Sequence, residues 1–344
     1  MFTHPDYDNH EGVHFFHDAQ SGLQAIVAVH NTNRGPGAGG TRLWSYADPC
    51  EALTDALRLS RAMSYKNAMA GLALGGGKAV ILKPDTNFDR KALFEAYGRA
   101  INSVGGKYIT AEDVGVSPED MRIIKTQTDF VAGLDDGPAA SGDPSPVTAQ
   151  GVFRSLKVAV QHKMWMEKIK GLRVAVQGLG HVGYGLCEHL HQAGAKLFVA
   201  DINEAVLKRA EKELNAAIVE PDAIHAVDAD VFSPCALGGA ISETSLSEIQ
   251  APIIVGAANN QLATPEMGEA CRNRGILYAP DYVVNAGGII NVAAEVSGHY
   301  DIDWVQSKLD ELEVTLKTIF VQAEERGVST HQVADDMARA RLKV

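Results

Sequence analysis

Cysteine is scarce in this chain, and what there is does not pair. Cys50, Cys187, Cys235 and Cys271 are the four cysteines of 344 residues, scattered with no CxxC spacing and no histidine at metal-ligand spacing. That excludes a disulfide framework and the common metal motifs. They read as reduced, mostly core residues of a cytoplasmic protein. Basic residues are also in deficit, 31 lysines and arginines against 43 aspartates and glutamates, for a formal net charge of -12. General nucleic-acid binding, which depends on basic patches neutralising phosphate, is thereby excluded. No apolar run approaches the ~18 residues that suggest a membrane span. The start, Met1-Phe2-Thr3-His4-Pro5-Asp6, has neither the basic nor the apolar region of an export signal. No internal repeat or low-complexity segment is found. What remains is ordinary apolar content, a length sufficient for two domains, and a small molecule as partner.

Chemistry concentrates between Ser64 and Asp113. Ser64-Tyr65-Lys66-Asn67 is followed by Gly75-Gly76-Gly77-Lys78 and then by Ala111-Glu112-Asp113-Val114-Gly115. Two lysines and a carboxylate thus stand among glycine, alanine and aliphatic residues. Two ammonium groups gathered at one apolar site repel, and the setting favours a neutral lysine able to act as a base. Taken singly, a lysine at a helix end is a solvated charge and a glycine run a flexible turn. Glycines without Cβ atoms also admit a ligand or a second chain segment at close range.

The remainder alternates strands and helices, so the first half is α/β. Two β-like runs within 12–30 flank the turn Asp18-Ala19-Gln20-Ser21-Gly22. Arg34-Gly35-Pro36-Gly37-Ala38-Gly39-Gly40-Thr41-Arg42 carries too many breakers for a strand or a helix and reads as a loop, either a hairpin connection or a backbone surface for a small ligand. Asp48-Pro49 opens a helix whose apolar face, Leu53, Ala56, Leu57, Ser60 and Met63, leads to Lys66 one turn later. Met63 ends that face, where core packing and ligand contact can coincide. Residues 89–103 and the segment capped at Ser117 read as further helices. Asp135 to Pro146, rich in proline, glycine and acid, reads as an interdomain linker, and Thr148–His162 as the helix that follows it.

The second domain opens on the strand Leu172–Gln177 and the fingerprint Gly178-Leu179-Gly180-His181-Val182-Gly183, then a helix to about Gly194 and the strand Lys196–Ala200 before Asp201. Strand, GxGxxG, helix and an acid about 20 residues on form a dinucleotide-binding pattern. Gly178, Gly180, His181, Val182 and Gly183 are its expected cofactor contacts. Asp201, followed by Ile202 and Asn203 rather than arginine, suits the adenosine ribose of NAD and opposes a 2′-phosphate. Further strands at Asp230–Pro234 and Pro252–Gly256 bring Cys235, Ala236 and Asn259 to strand ends, where they line the nicotinamide side. Asn259 serves equally as a turn or helix cap. After Tyr282 comes the stretch Asn285-Ala286-Gly287-Gly288-Ile289-Ile290-Asn291-Val292, and helical patterns then run almost to Val344.

These stretches, with Gly39-Gly40-Thr41-Arg42, Ser141–Thr148, Gly256-Ala257-Ala258-Asn259-Asn260 and Ala279-Pro280-Asp281-Tyr282, resemble in order the glutamate, leucine, phenylalanine and valine dehydrogenase family, most of all its leucine-directed members. The resemblance implies residues 1–135, with returning helices 326–344, as a substrate, catalytic and oligomerisation domain of α/β type. It implies 136–325 as a Rossmann-type, doubly wound NAD-binding domain, with a cleft that closes in turnover. By position, Lys66 holds the substrate carboxylate, Lys78 is the base and Asp113 exchanges protons with the amine. Gly39 and Gly40 line the substrate, Met63 borders it, and Ala38, Ala111, Ile289 and Val292 wall the side-chain pocket. Thr148 and Asn259 lie on the nicotinamide side. NAD-dependent, reversible deamination of leucine, valine and isoleucine by a homo-oligomer, with no metal, is the implied activity. The sequence stops at Leu342-Lys343-Val344, where many relatives continue, which leaves a dimer or a tetramer open beside the family's octamer. A phenylalanine dehydrogenase of the same family and a non-catalytic NAD sensor are the alternatives. A 2-hydroxy-acid dehydrogenase lacks its histidine and carboxylate pair here.

Overall fold

Glycines in the first sheet allow its layers to approach more closely than side chains would permit. The computed structural model describes residues 2–134, 142–298 and 300–343. Of the linker segment, residues 135–141 lie outside the described residues. The chain divides into two units: Met1–Asp143 with Asn291–Trp304 and Ala338–Val344, and Pro144–Ile290 with Val305–Met337.

The first unit holds strands β1 (Gly12–Asp18), β2 (Leu23–Asn31), β3 (Gly37–Trp44), β4 (Gly75–Leu82) and β5 (Tyr108–Glu112), with helices α1 (Pro49–Met69), α2 (Arg90–Ser103) and α3 (Pro118–Lys125). Its sheet order is β1-β2-β4-β3-β5, antiparallel across the first two pairings and parallel across the last two. Alternation along β2 sends Ala25, Val27 and Val29 into one core with α2 and α3, and Ile26 and Ala28 into another with α1. Asp48, Asp89 and Ser117 cap the three helices through their side chains, the last in a reciprocal capping box with Asp120.

The segment read above as a glycine loop is strand β3 from Gly37 onward, held between β4 and β5. Likewise Gly75, Gly76 and Gly77 form no turn but begin β4. Breaker residues persist in these strands because the neighbours leave no space for anything larger. A Cβ on Gly39 would lie 2.0 Å from Gly77 O, and one on Gly77 would lie 2.4 Å from the Tyr108 ring. On the opposite face α1 is pressed to β4: a Cβ on Gly76 would stand 2.1 Å from Ser64 Oγ and 2.2 Å from Ser64 N. Ser64 Oγ also contacts His30 Nδ1 at 2.7 Å. Burial, with His10 beside it, pushes His30 down to about 4, so the ring is a neutral brace at neutral pH.

The second unit begins with α4 (Ser145–Met164), β6 (Arg173–Gln177), α5 (His181–Gln192), β7 (Lys196–Ala200), α6 (Glu204–Leu214) and β8 (Ala217–Ile218). It continues with β9 (Val231–Pro234), α7 (Glu243–Glu248), β10 (Ile253–Ile254), α8 (Glu266–Asn273), β11 (Leu277–Tyr278) and α9 (Asp281–Val284). Helices α10 (Gly287–Val296), α11 (Ile302–Arg326) and α12 (Thr330–Leu342) complete the chain, each contributing residues to both units. The sheet is parallel, in the order β8-β7-β6-β9-β10-β11. The chain runs outward from β6 on one side and then crosses to β9 on the other, which puts the reversal of strand order at the carboxyl ends of β6 and β9. Dinucleotides bind such sheets at that point. No described helix is long and apolar enough to cross a membrane.

Replacing Gly76 with alanine forces α1 away from β4, because the obstructing atoms include backbone. The expected cost is ~1–3 kcal/mol of stability, read as a lower urea midpoint; an unchanged midpoint would show that α1 does not press on this strand.

Candidate active site

In the first unit the sheet itself assembles the charged groups. Lys78 projects from β4 and donates to Asp113 Oδ2, immediately after β5. The lysine is 6% exposed, and a buried ammonium without a partner would cost several kcal/mol. Gly40 makes the meeting possible, since a Cβ there would stand 2.7 Å from that of Asp113 and 2.5 Å from Glu112 O. Burial alone pushes the Asp113 carboxyl up, but the Lys78 charge and hydrogen bond, the Arg42 charge and the Val114 amide together hold it below the ordinary carboxylate value. The two lysines of the sequence reading therefore do not act on each other alone; the direct partner of Lys78 is a carboxylate.

Lys66 is half-buried in the last turn of α1. Ser64 against Gly76 sets that turn over the start of β4, two residues before each lysine. Arg341 steadies it by donating to Ala68 O at 3.1 Å and Met69 O at 2.9 Å. Met63 meets the Gly39 position at 3.1 Å from its Cγ. Ala38 is buried opposite Gly76 and Ile109, and the half-buried Ala111 lies opposite Gly40. Val292, half-buried on α10, belongs to this unit, whereas Ile289, one turn earlier, belongs to the other.

In the second unit the fingerprint glycines have separate tasks. Gly178 has φ of +96°, and a Cβ there would strike Ala236 N at 2.8 Å. A Cβ on Gly183 would lie 2.0 Å from Gly178 O, so that glycine lets α5 pack on the turn. Gly180 has nothing within 4 Å of its Cβ position. It precedes α5 as a cap without a side-chain hydrogen bond, so the positive end of the helix faces that open space. His181 is exposed and Val182 half-buried in that first turn. Asp201, past β7, accepts from Leu179 N at 2.6 Å and Asn203 N at 2.8 Å.

Cys235 N donates to Gln177 O at 2.7 Å, tying β9 to β6 at the reversal point; its half-buried thiol is pushed up by burial. Asn259 is exposed and accepts from Asn285 Nδ2 at 2.8 Å, while Asn285 Oδ1 is buried with no partner. Thr148 is buried, donates to Pro144 O at 2.9 Å and faces Gly288. The open space at Gly180, the uncapped helix start and the orphaned amide oxygen of Asn285 fit a nicotinamide dinucleotide. Among the described residues no group of three His, Cys, Asp or Glu could hold a metal ion. A cavity of about 250 Å³ lined by Tyr278, Phe320 and Thr330 contains none of these residues.

Sequence reasoning assigned no part to Arg42 or Asn285. Both lie inside quoted motifs, but only the fold shows Arg42 Nε 3.4 Å from Asp113 Oδ2 and Asn285 bonded to Asn259.

Comparison with known proteins adds an independent result. Residues 10–130 match the family model described as Glu/Leu/Phe/Val dehydrogenase, dimerisation domain, and residues 198–342 match that of Glutamate/Leucine/Phenylalanine/Valine dehydrogenase. A leucine dehydrogenase of Geobacillus stearothermophilus is 46% identical over 343 residues, covering 100% of this chain and 93% of the relative. The crystal structure of L-tryptophan dehydrogenase from Nostoc punctiforme superposes with a TM-score of 0.83 at 41% identity, over 97% of this chain and 96% of that one. A hetero-hexameric glutamate dehydrogenase from Thermus thermophilus, at 22% identity and a TM-score of 0.79 over 97% of this chain and 88% of that one, shares the fold.

Because Asp113 titrates lower folded than unfolded, its contribution to stability is complete above the ordinary carboxylate value of ~4 and disappears as pH falls through the lower, folded value. The stability difference between wild type and Asp113→Asn should be largest near neutral pH and shrink on acidification. Urea unfolding at several pH values checks this, and a difference that stays flat or grows would contradict it.

Proposed function

The chain belongs to the glutamate, leucine, phenylalanine and valine dehydrogenase family and is an amino-acid dehydrogenase, and from that premise we propose that it deaminates branched-chain L-amino acids reversibly with NAD, as a cytoplasmic homo-oligomer. The observation that carries the reading is the Lys78–Asp113 contact, a buried ammonium on a half-buried carboxylate at a glycine-lined sheet end. Residues 1–135 with 326–344 serve substrate binding, catalysis and assembly, and residues 136–325 serve the cofactor. NAD is favoured over NADP because Asp201 presents a carboxylate where a 2′-phosphate would sit, and the next residue, Ile202, is exposed and uncharged.

Lys66 binds the substrate carboxylate and Gly39 and Gly40 admit the amino acid close to the backbone. Thr148, Cys235, Ala236 and Asn259 flank the nicotinamide, while Gly178, Gly180, His181, Val182 and Gly183 meet the pyrophosphate and Asp201 the ribose. Bound NAD supplies the acceptor for the hydride that leaves the substrate Cα. The substrate Cα–N bond thereby becomes an iminium. Lys78, in its unprotonated form, takes a proton from water as the oxygen bonds to Cα. Asp113, hydrogen-bonded to the same Nζ, relays that proton to the carbinolamine amine; the C–N bond breaks as the hydroxyl gives its proton back to Lys78, so ammonia leaves and the 2-oxo acid remains. Fixed charges beside the iminium and carbinolamine require no reorganisation during the reaction, which is how such sites lower barriers.

Ala38, Ala111, Ile289 and Val292 supply only apolar surface, so the distal carboxylate of glutamate would be desolvated without a partner. Branched aliphatic side chains fit that lining. A methylene is worth only ~1–3 kcal/mol of discrimination, so leucine, valine and isoleucine should overlap. Aromatic substrates are the second reading, favoured by the small Ala38 and by the tryptophan dehydrogenase relative.

NADH formation at alkaline pH with leucine, valine, isoleucine, phenylalanine and glutamate in parallel, and NADP as control, should be strong for the three aliphatics with NAD. Preference for phenylalanine would support the second reading, and silence on all five would refute both. Lys78→Ala should lower turnover by at least ~100-fold while NAD binding persists; near-normal turnover would remove Lys78 from its role.

A further inference from the structure

Arg42 lies on the face of the first sheet that carries Lys78. Its Nη1 donates to Asp55 Oδ2 of α1 at 2.8 Å, and Tyr46 OH donates to the same oxygen at 2.6 Å. Its Nε lies 3.4 Å from Asp113 Oδ2 and is buried without a hydrogen bond of its own. A guanidinium edge desolvated in this way is disfavoured unless a nearby anion offsets the loss. Asp113 is that anion. A connected series runs from Tyr46 through Asp55, Arg42 and Asp113 to Lys78.

We propose that Arg42 is a positioning residue for the proton-transfer pair: anchored by Asp55, it keeps the Asp113 carboxylate anionic and aimed at Lys78 Nζ while the lysine is unprotonated. The inference rests on Lys78 and Asp113 being that pair. Lys78 supports the charge on Asp113 only while it carries its own proton, and its role as a base requires losing it. Arginine keeps its charge at every working pH, so Arg42 supplies constant support through that step. The other groups near Asp113 do not replace it. Tyr108 of β5 is a phenol pushed up to about 12 and bonded to Gly39 O, the Val114 amide is neutral, and Asp55 and Tyr46 contact Arg42 rather than Asp113. Lys66 is assigned to the substrate carboxylate.

The test is the pH profile of kcat/KM for leucine oxidation in wild type, Arg42→Gln, Arg42→Lys, Asp55→Asn and Lys78→Ala, with NADH binding and thermal unfolding measured alongside. Arg42→Gln should move the acid limb to higher pH by about one unit, with NADH binding unchanged. Arg42→Lys keeps the charge but loses the fork, and Asp55→Asn keeps the arginine but loosens its anchor; both should move the limb by less. Asp55→Asn also decides the matter if Arg42→Gln fails to fold. A lower melting temperature with an unmoved limb, while Lys78→Ala stays inactive, would overturn the role of Arg42 alone. Normal turnover in Lys78→Ala would overturn the pair and, with it, the proposal.

Discussion

A lysine that is 6% exposed must have a carboxylate beside it, and the architecture of the first unit follows from meeting that requirement. Lys78 can contact Asp113 only if the ends of β4, β3 and β5 converge, and they converge because Gly39, Gly40, Gly76 and Gly77 leave out the atoms that would hold the layers apart. Asn67 Nδ2 reinforces the approach by donating to Gly75 O at 2.6 Å, tying the helix of Lys66 to the strand of Lys78. The weakening of a strand by glycine is offset here by what close contact permits, an ion pair less screened than one in open water.

The second unit solves a different problem with the same residue. Its glycines shape a single strand-to-helix turn: one adopts a left-handed conformation, one borders open space, and one lets a helix sit on the turn. The two carboxylates that matter also differ in use. Asp113 faces two cations and is held in its charged form. Asp201 accepts two backbone amides that fix its orientation. One unit carries the paired lysine and carboxylate and the other a parallel, Rossmann-type sheet, and the proposed oxidation of an amine to an imine followed by hydrolysis draws on both.

Local chemistry made the second unit readable from sequence. Strand, fingerprint, helix and Asp201 are consecutive, and Gly183 makes room for Gly178 O within the same turn, although Gly178 itself meets the sequence-distant Ala236. Helix starts at Asp48, Asp89 and Ser117 were legible for the same reason, since a cap depends on three neighbouring residues. The glycine segment containing Gly39 and Gly40 was not. Its strand character comes from β4 and β5 on either side, partners remote in sequence that override the local preference of glycine for turns. Arg42 was invisible as a participant for a similar reason: its partners Asp55 and Asp113 come from a different helix and a different strand end. The lysines were found by their apolar surroundings, but the pairing of Lys78 with a carboxylate rather than chiefly against Lys66 required the register of the sheet.

The central claim is that the Lys78 and Asp113 pair hydrolyses and forms a carbon–nitrogen bond and does not merely accompany a hydride transfer. Its most direct test is NADH consumption by the wild-type protein with 4-methyl-2-oxopentanoate, followed as ammonium is raised from zero. A rate that is absent without ammonium, saturates with it and yields leucine is the predicted result. Steady oxidation of NADH by the 2-oxo acid in the absence of ammonium, with a 2-hydroxy acid as product, would contradict it.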